Sequence, residues 1–179
     1  MHRVVRPLLN LSTIESAAKR VGQAAVPTPL EHNKRLSDLY DATILVKRED
    51  LQPVRSFKIR GAYNKISLLD KAAREKGVVC SSAGNHAQGV AYACSHHDIH
   101  GTIFMPSPTP QQKVSQVAMF GGDKVTIKLV GDTMTIVMRR PWNMLLKQEK
   151  YLSTRLMIQM LSQVRRPWHW KLLRRQQSP

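Results

Sequence analysis

Two short segments of the sequence hold residue types that bind anions and transfer protons. Residues 55–61 (RSFKIRG) contain Lys58, whose amine can act as a nucleophile or a base when it is desolvated. Residues 81–89 (SSAGNHAQG) combine small residues with Asn85 and His86. Where a small-residue turn leads into a helix, free backbone N–H groups form an anion-binding nest that the helix dipole strengthens. A carboxylate or a phosphate would suit such a turn.

Each of these residues also has an ordinary explanation. Most lysines are solvated surface charges, and a histidine such as His86 more often caps a helix or lies at the surface. Gly84 and Gly89 can serve tight turns, and the hydroxyls of Ser81 and Ser82 can cap a helix. Their combination, in order and at two consecutive junctions between a strand and a helix, is what favours a functional site.

An alternation of strands and helices must position these segments. Ser12 with Glu15 predicts a capping box, and Thr28 with Pro29 predicts a second helix start. We predict strands at 42–47, 78–81, 101–105 and 124–130, and helices at 56–76, 85–97 and 110–120. This alternation is typical of βαβ units, so the expected fold is α/β, with a mainly parallel sheet and helices on both faces. Functional residues of such a sheet lie at the carboxyl ends of its strands.

The charge of the chain is unevenly distributed. The 179 residues carry 28 Lys and Arg against 12 Asp and Glu, a net charge of +16. Residues 134–179 hold 10 of these bases and one acid, Glu149, together with all three tryptophans, and they contain no Gly, Ala, Asp, Phe or Cys. We therefore divide the chain into an enzyme-like part, residues 1–133, and a basic tail, residues 134–179.

Several classes of protein are disfavoured. No apolar run approaches the roughly 20 residues of a membrane span, and the N-terminus lacks a secretory pattern, so we expect a cytoplasmic protein without a membrane partner. Cys80 and Cys94 show no spacing typical of a disulfide framework or a zinc site, so we expect buried, reduced thiols and no metal.

The motifs resemble those of the pyridoxal-phosphate-dependent threonine dehydratases, enzymes of fold type II, the tryptophan-synthase-β type. The resemblance runs from about Leu11 to Thr133 and is carried by residues 28–30 (TPL), 47–52 (KREDLQ), 56–64 (SFKIRGAYN), 82–91 (SAGNHAQGVA), 103–106 (IFMP) and Lys113. Ala83 before Gly84 looks most like the biosynthetic threonine enzyme. Serine/threonine dehydratases and serine racemases are near neighbours and remain alternatives.

The resemblance implies a cofactor, a substrate and residue roles. Lys58 would hold pyridoxal 5'-phosphate as a Schiff base and then act as the base on the α-proton of the substrate. Phe57 would pack beside the cofactor, and Asn85 would contact its 3-hydroxyl group. The substrate carboxylate would bind to the turn that contains Ser82, Ala83, Gly84, Asn85 and His86. L-Threonine, with serine as a second candidate, would yield 2-oxobutanoate and ammonia, as in isoleucine biosynthesis. Full-length members are expected to form homo-oligomers.

The resemblance stops where the basic tail begins. Family members bind the cofactor phosphate in a later glycine-rich loop, whereas the last glycine here is Gly131, so the fold is expected to be incomplete and the chain alone to show little or no dehydratase activity. The frame one base earlier would convert Trp142-Asn143 into Glu, Met157-Ile158 into Asp, and residues 168–171 into Ala-Leu-Glu, which resembles the expected continuation. We therefore interpret the tail as an out-of-frame translation.

The tail has two other interpretations. Its arginine pairs, interleaved with tryptophans, are also typical of an arm that binds nucleic acid through phosphate contacts and base stacking, and we consider nucleic acid the less favoured partner. Its leucines are also compatible with an amphipathic helix at a membrane interface.

Overall fold

The computed structural model of the chain describes residues 10–132 and a short strand at residues 151 and 152. The basic tail otherwise lies outside the described residues. The helices are α1 (Leu11–Val21), α2 (Lys34–Tyr40), α3 (Lys58–Ser67), α4 (Lys71–Lys76), α5 (Asn85–His96) and α6 (Gln111–Gly121). The strands are β1 (Leu30–His32), β2 (Leu45–Lys47), β3 (Val78–Ser81), β4 (Gly101–Met105), β5 (Val125–Leu129) and β6 (Tyr151–Leu152).

Among the described residues, four strands form a parallel sheet in the order β5-β4-β3-β6. Val78 of β3 pairs with Gly101 of β4 on one side and with Tyr151 of β6 on the other, and Gly101 pairs in turn with Val125 of β5. The predicted α/β class and the mainly parallel sheet are confirmed. Since β3 is an interior strand, its carboxyl end lies between the carboxyl ends of two neighbouring strands, directly before the turn that leads into α5.

The other two strands form a sheet of their own. β1 and β2 pair antiparallel, with Leu30 opposite Lys47 and His32 opposite Leu45. The strand predicted at 42–47 therefore exists but lies outside the parallel sheet. The prediction that a helix starts at Pro29 was wrong, because residues 30–32 pair with β2. Helix α2 begins after Asn33, whose side chain accepts a hydrogen bond from Leu36 N at 2.9 Å.

Two other helix boundaries differ from the sequence prediction. Helix α1 is capped by Asn10, whose Oδ1 accepts a hydrogen bond from Thr13 N at 2.9 Å, so Ser12 lies inside the helix. The single helix predicted over 56–76 is two helices, because Asp70 accepts a hydrogen bond from Ala73 N at 2.8 Å and starts α4. In both cases a short polar side chain competes for the backbone and sets the start of a helix.

The main core lies between the parallel sheet and α3, α5 and α6. Its fully buried side chains include Tyr63, Ile66, Cys80, Val90, Cys94, Ile103, Met105 and Val117. On the opposite face of the sheet, Val79 and Phe104 are also buried and pack with Val130. The expectation that both thiols are buried is confirmed. The main core holds α3 and α5 together, and these two helices carry the segments singled out in the sequence.

Candidate active site

Lys58 is the first residue of α3. Its backbone N–H donates to Ser56 Oγ at 3.1 Å, and Ser56 is buried. The Lys58 Nζ atom lies 5.1 Å from the centroid of the Phe57 ring, a cation–π contact, and 45% of Phe57 is exposed. Lys58 therefore stands at the amino-terminal end of a helix, next to an aromatic ring that is accessible to a ligand.

The second segment forms the turn between β3 and α5. Gly84 precedes α5 in an extended conformation, and no side chain of the described residues caps this helix. Within the turn, Gly84 N donates to Ser82 Oγ at 3.3 Å. The amino-terminal end of α5, with the positive pole of its dipole, therefore lies at the carboxyl end of a central strand, as in other ligand-binding α/β sheets.

Gly89 brings the two segments together. A Cβ atom at this position would lie 3.1 Å from both the carbonyl carbon and the carbonyl oxygen of Lys58, and 3.2 Å from Ile59 N. Glycine thus permits the backbone of α5 to lie against the first turn of α3. The sequence suggested a tight turn as the ordinary explanation for Gly89, but the residue lies inside α5 and serves close helix packing.

His86 lies in the first turn of α5, close to Lys58. Both of its ring nitrogens are buried and have no hydrogen-bond partner among the described residues. Burial, followed by the nearby positive charge of Lys58, lowers the pKa of His86 to about 4, so the ring is neutral near pH 7. Buried polar atoms are normally hydrogen-bonded, so these ring nitrogens call for a partner, which a ligand or a water molecule can supply.

Ser81 adds a second orphaned group. Its Oγ atom is buried at the carboxyl end of β3 and has no hydrogen-bond partner within the described part of the chain. Asn85, by contrast, is exposed at the start of α5, and Gln88 ties this helix to α6 through a hydrogen bond of 2.8 Å to Gln116. The turn therefore combines a fixed helix with polar groups that a ligand can satisfy.

The structure also brings forward residues to which the sequence analysis gave no role. The Glu49 carboxylate lies under α3 and accepts hydrogen bonds from Arg60 Nε at 2.7 Å and from Arg60 Nη2 at 2.8 Å. Glu49 belongs to the quoted KREDLQ motif, but spacing alone does not show which charges in such a motif are buried and paired.

The described residues contain neither a metal site nor a membrane-spanning helix. Between residues 10 and 132, no group of three or more His, Cys, Asp or Glu side chains is arranged to hold a metal ion. None of the helices in this range is long and apolar enough to cross a membrane.

The family now follows from the fold, the site and the sequence match. Residues 21–156 match the family described as pyridoxal-phosphate dependent enzymes, and the chain belongs to this family. The described residues fit the cofactor: Lys58 offers an amine for its aldehyde, the start of α5 favours negative charge, and the orphaned atoms of Ser81 and His86 are polar groups in need of partners.

The individual relatives are more specific. The biosynthetic L-threonine dehydratase IlvA of Bacillus subtilis (strain 168) is 56% identical over 126 residues, and that of Lactococcus lactis is 52% identical over 126 residues. Each match covers 70% of this chain and 30% of the relative. The chain thus spans about 30% of the length of these curated relatives.

Solved structures show the same pattern. The processed form of threonine deaminase isoform 2 from Solanum lycopersicum superposes with a TM-score of 0.69 at 36% identity, covering 80% of this chain and 40% of that one. Maize serine racemase superposes with a TM-score of 0.72 at 29% identity, covering 80% of this chain and 43% of that one. The fold-type assignment made from the motifs is therefore confirmed.

Proposed function

We propose that this chain carries the lysine-bearing part of a pyridoxal-phosphate-dependent L-threonine dehydratase, which converts threonine to 2-oxobutanoate and ammonia. The observation that carries the proposal is the close approach of α3 and α5 at Gly89, which places Lys58 beside the turn before Asn85. The identity to biosynthetic threonine dehydratases, 56% in one case, supports threonine as the substrate.

Each residue of the site has a role in this proposal. Lys58 would hold the cofactor through Nζ and, once the substrate amine has displaced it, would accept the α-proton of the substrate at the freed Nζ. Phe57 packs beside the cofactor, and Asn85 contacts its 3-hydroxyl group. The cofactor, when bound, supplies the electron sink that stabilises negative charge at the α-carbon. The turn of residues 82–86 holds the substrate carboxylate, and the dipole of α5 favours that anion.

His86 contributes to this site as a neutral ring. Its lowered pKa keeps a second positive charge away from the Lys58 amine, which must lose its own proton to act as a nucleophile. In the neutral ring, one nitrogen can donate a hydrogen bond to the substrate carboxylate or to water, and the other can accept one from water.

The proposal is tested by cofactor binding. The purified 179-residue chain, titrated with pyridoxal 5'-phosphate, should develop the absorbance of a protein-bound cofactor, and borohydride should fix the cofactor on the peptide that contains Lys58. The Lys58→Ala variant should lose both signals. Lys65→Ala is the matched control because Lys65 lies in the same helix. Cofactor fixed on other lysines, with the Lys58 peptide unlabelled, would refute the proposal.

The substrate is tested on the protein translated in the frame one base earlier, because the 179-residue chain is expected to show little or no dehydratase activity. L-Threonine, and not D-threonine, should change the absorbance of the bound cofactor, and ammonia release reports the complete reaction. Serine racemase is the second candidate, because the maize enzyme has the same fold over 80% of this chain. Formation of D-serine from L-serine would favour that alternative, whereas release of ammonia alone would favour the dehydratase.

We also propose that residues 134–179 are translated out of frame. The composition of the tail and the forced codons at Trp142, Met157 and Trp168 support this proposal. A change of frame at residue 134 does not explain two findings: the family match extends to residue 156, and β6 at residues 151 and 152 pairs with β3. Resequencing the source DNA from codon 120 onwards tests it: a dehydratase continuation in the frame one base earlier is expected, and its absence from every frame would contradict the proposal.

A cytoplasmic location and a homo-oligomeric full-length enzyme stay predictions. The first rests on the apolar and N-terminal patterns of the sequence, and the second on the resemblance to threonine dehydratases. Cell fractionation and size-exclusion chromatography of the protein encoded by the resequenced gene would test them.

A further inference from the structure

The Glu49 carboxylate is the centre of a polar cluster that contacts the first turn of α3. Its side chain is 14% exposed and that of Arg60 is 26% exposed. Arg60 donates two hydrogen bonds to the two carboxylate oxygens, at 2.7 and 2.8 Å, and Thr28 Oγ1 donates a third at 2.6 Å. Such a bidentate pair fixes both distance and orientation, which a single charge contact does not.

Gln52 extends this cluster to the backbone of the segment before β1. Its Nε2 donates to Val26 O at 2.9 Å, its Oε1 accepts from Val26 N at 3.0 Å, and the side chain is 1% exposed. Glu49, Gln52, Thr28 and Arg60, here called the Glu49 cluster, therefore join three stretches of chain: residues 26–28, the turn at 49–52 and the start of α3.

The Glu49 cluster reaches the first turn of α3, which carries Lys58, through Arg60. Arg60 follows Lys58 by two residues in the first turn of α3, and Arg60 N donates to Phe57 O at 3.1 Å. Gly89 of α5 packs against the Lys58 backbone. The first turn of α3 is therefore held by the Glu49 cluster through Arg60 and by α5 through Gly89.

The charge state of Glu49 suits its pairing with Arg60, which holds the first turn of α3. Burial disfavours the carboxylate, but the hydrogen bonds from Arg60 and Thr28 outweigh burial and lower the pKa of Glu49 below its ordinary value. The pair is therefore charged at neutral pH. Removing one partner of such a pair leaves an uncompensated charge in a largely desolvated place, which displaces the groups around it.

We propose that Glu49 and Arg60 are positioning residues for Lys58. They hold the first turn of α3 in the position that brings the Lys58 amine to the loop before α5. This inference rests on the proposed function, since it assigns the role of Lys58 to cofactor binding. Glu49 and Arg60 act through the helix and not by contact with the reacting atoms.

The test measures how selectively Lys58 reacts with the cofactor. The full chain and its variants are incubated with pyridoxal 5'-phosphate, reduced with borohydride and digested, and the labelling of Lys58 is divided by that of Lys65. Glu49→Gln and Arg60→Lys should lower this ratio about tenfold, because small misplacements of a reacting group cost large factors in rate. Thr28→Val, which removes one of the hydrogen bonds to Glu49, should lower it less.

Asp50→Asn is the matched control. Asp50 lies beside Glu49 but pairs with Arg48 at 2.8 Å, and its side chain is 58% exposed. Its loss should leave the labelling ratio at the value of the unmodified chain. General unfolding would also lower the ratio, because it removes the site that favours Lys58, so circular dichroism is used to exclude any variant that has not folded. Arg60→Lys and Thr28→Val keep the test informative if Glu49→Gln does not fold.

Three results are distinguishable. A lowered ratio in folded Glu49→Gln or Arg60→Lys, with an unchanged ratio in Asp50→Asn, supports the inference. An unchanged ratio in the folded Glu49 and Arg60 variants overturns it while the proposed function stands. Absence of cofactor from Lys58 in the unmodified chain overturns the proposed function itself, and the inference with it.

Discussion

At residue 89, one hydrogen atom in place of a side chain decides how near two helices can come. Gly89→Ala would place a methyl group 3.1 Å from the Lys58 carbonyl, closer than ordinary van der Waals contact, and backbone atoms cannot swing away. We expect a loss of about 1–3 kcal/mol in the free energy of unfolding, the usual cost of an overpacked contact. Urea denaturation measures it, and cofactor labelling of Lys58 should fall in the same variant.

Gly61→Ala is the control for this substitution. Gly61 lies in α3, and a Cβ atom there would meet nothing within 4 Å. Alanine favours a helix over glycine by about 1 kcal/mol, so Gly61→Ala should stabilise the chain. Equal effects at both positions would contradict the packing argument for Gly89.

The buried ring of His86 predicts a dependence of stability on pH. In the unfolded chain a histidine titrates near its ordinary pKa of 6.5, whereas burial and Lys58 lower the pKa of His86 to about 4 in the fold. Between these values the unfolded chain binds more protons, so the free energy of unfolding falls as the pH drops. From pH 7 to pH 5 we expect a loss of about 1–2 kcal/mol from this residue.

Urea titrations of the chain and of His86→Gln at both pH values test this expectation. The variant should lose that part of the pH dependence. The pKa of His97 is also lowered by burial, so His97 contributes in the same direction, and His97→Gln should retain the contribution of His86. An unchanged pH dependence in His86→Gln would show that its ring is not buried as described.

At the scale of single residues, the sequence predicts which residues carry chemistry but not which groups contact them. Lys58 and the turn before Asn85 were recognised as chemistry-bearing from their motifs and order. The same motifs do not show that Gly89 serves helix contact, nor that Glu49 and Arg60 form a buried pair, because both facts depend on which elements pack together.

At the scale of elements, Asp70 separates two helices. Its carboxylate accepts a hydrogen bond from Ala73 N and is the N-cap of α4. Asp70→Ala should lower the free energy of unfolding by about 1 kcal/mol, and Asp70→Asn, which keeps an acceptor oxygen, should change it little. Thermal unfolding of both variants measures the difference, and equal losses would argue against a capping role.

Elements inside the parallel sheet were predicted best. Strands β3 and β4 were predicted at their observed bounds, because continuous apolar runs between turn residues are typical of buried parallel strands. Near β1, by contrast, the leucines of residues 30–40 suggested a helical face, but β1 is formed by pairing with β2, a partner 13 or more residues away in the chain. Long-range pairing of this kind leaves little trace in a local pattern.

At the scale of the whole molecule, the charge of the tail predicts weak binding to polyanions. Residues 134–179 carry a net charge of +9. We expect the full chain to bind DNA or RNA only non-specifically, with a Kd of about 10⁻⁴–10⁻⁶ M that weakens as salt is raised. Filter binding at several salt concentrations measures this affinity.

The control compares the full chain with a variant lacking residues 134–179. The shorter chain should bind nucleic acid more weakly, and Lys58→Ala should bind as the full chain does. A nanomolar Kd at physiological salt that is lost with the tail would instead show that the tail binds nucleic acid specifically. That result would contradict the interpretation of the tail as an out-of-frame translation.

The two buried thiols provide a probe for following this fold. Burial raises the pKa of Cys94 to about 12 and that of Cys80 further, so neither forms the reactive thiolate while the core is closed. They are the only cysteines of the chain, and they lie on β3 and α5, on either side of the turn at the proposed site. The rate at which a thiol reagent modifies them therefore reports how often β3 and α5 separate, and a slower rate with pyridoxal 5'-phosphate present would show directly that ligand binding and core closure are coupled.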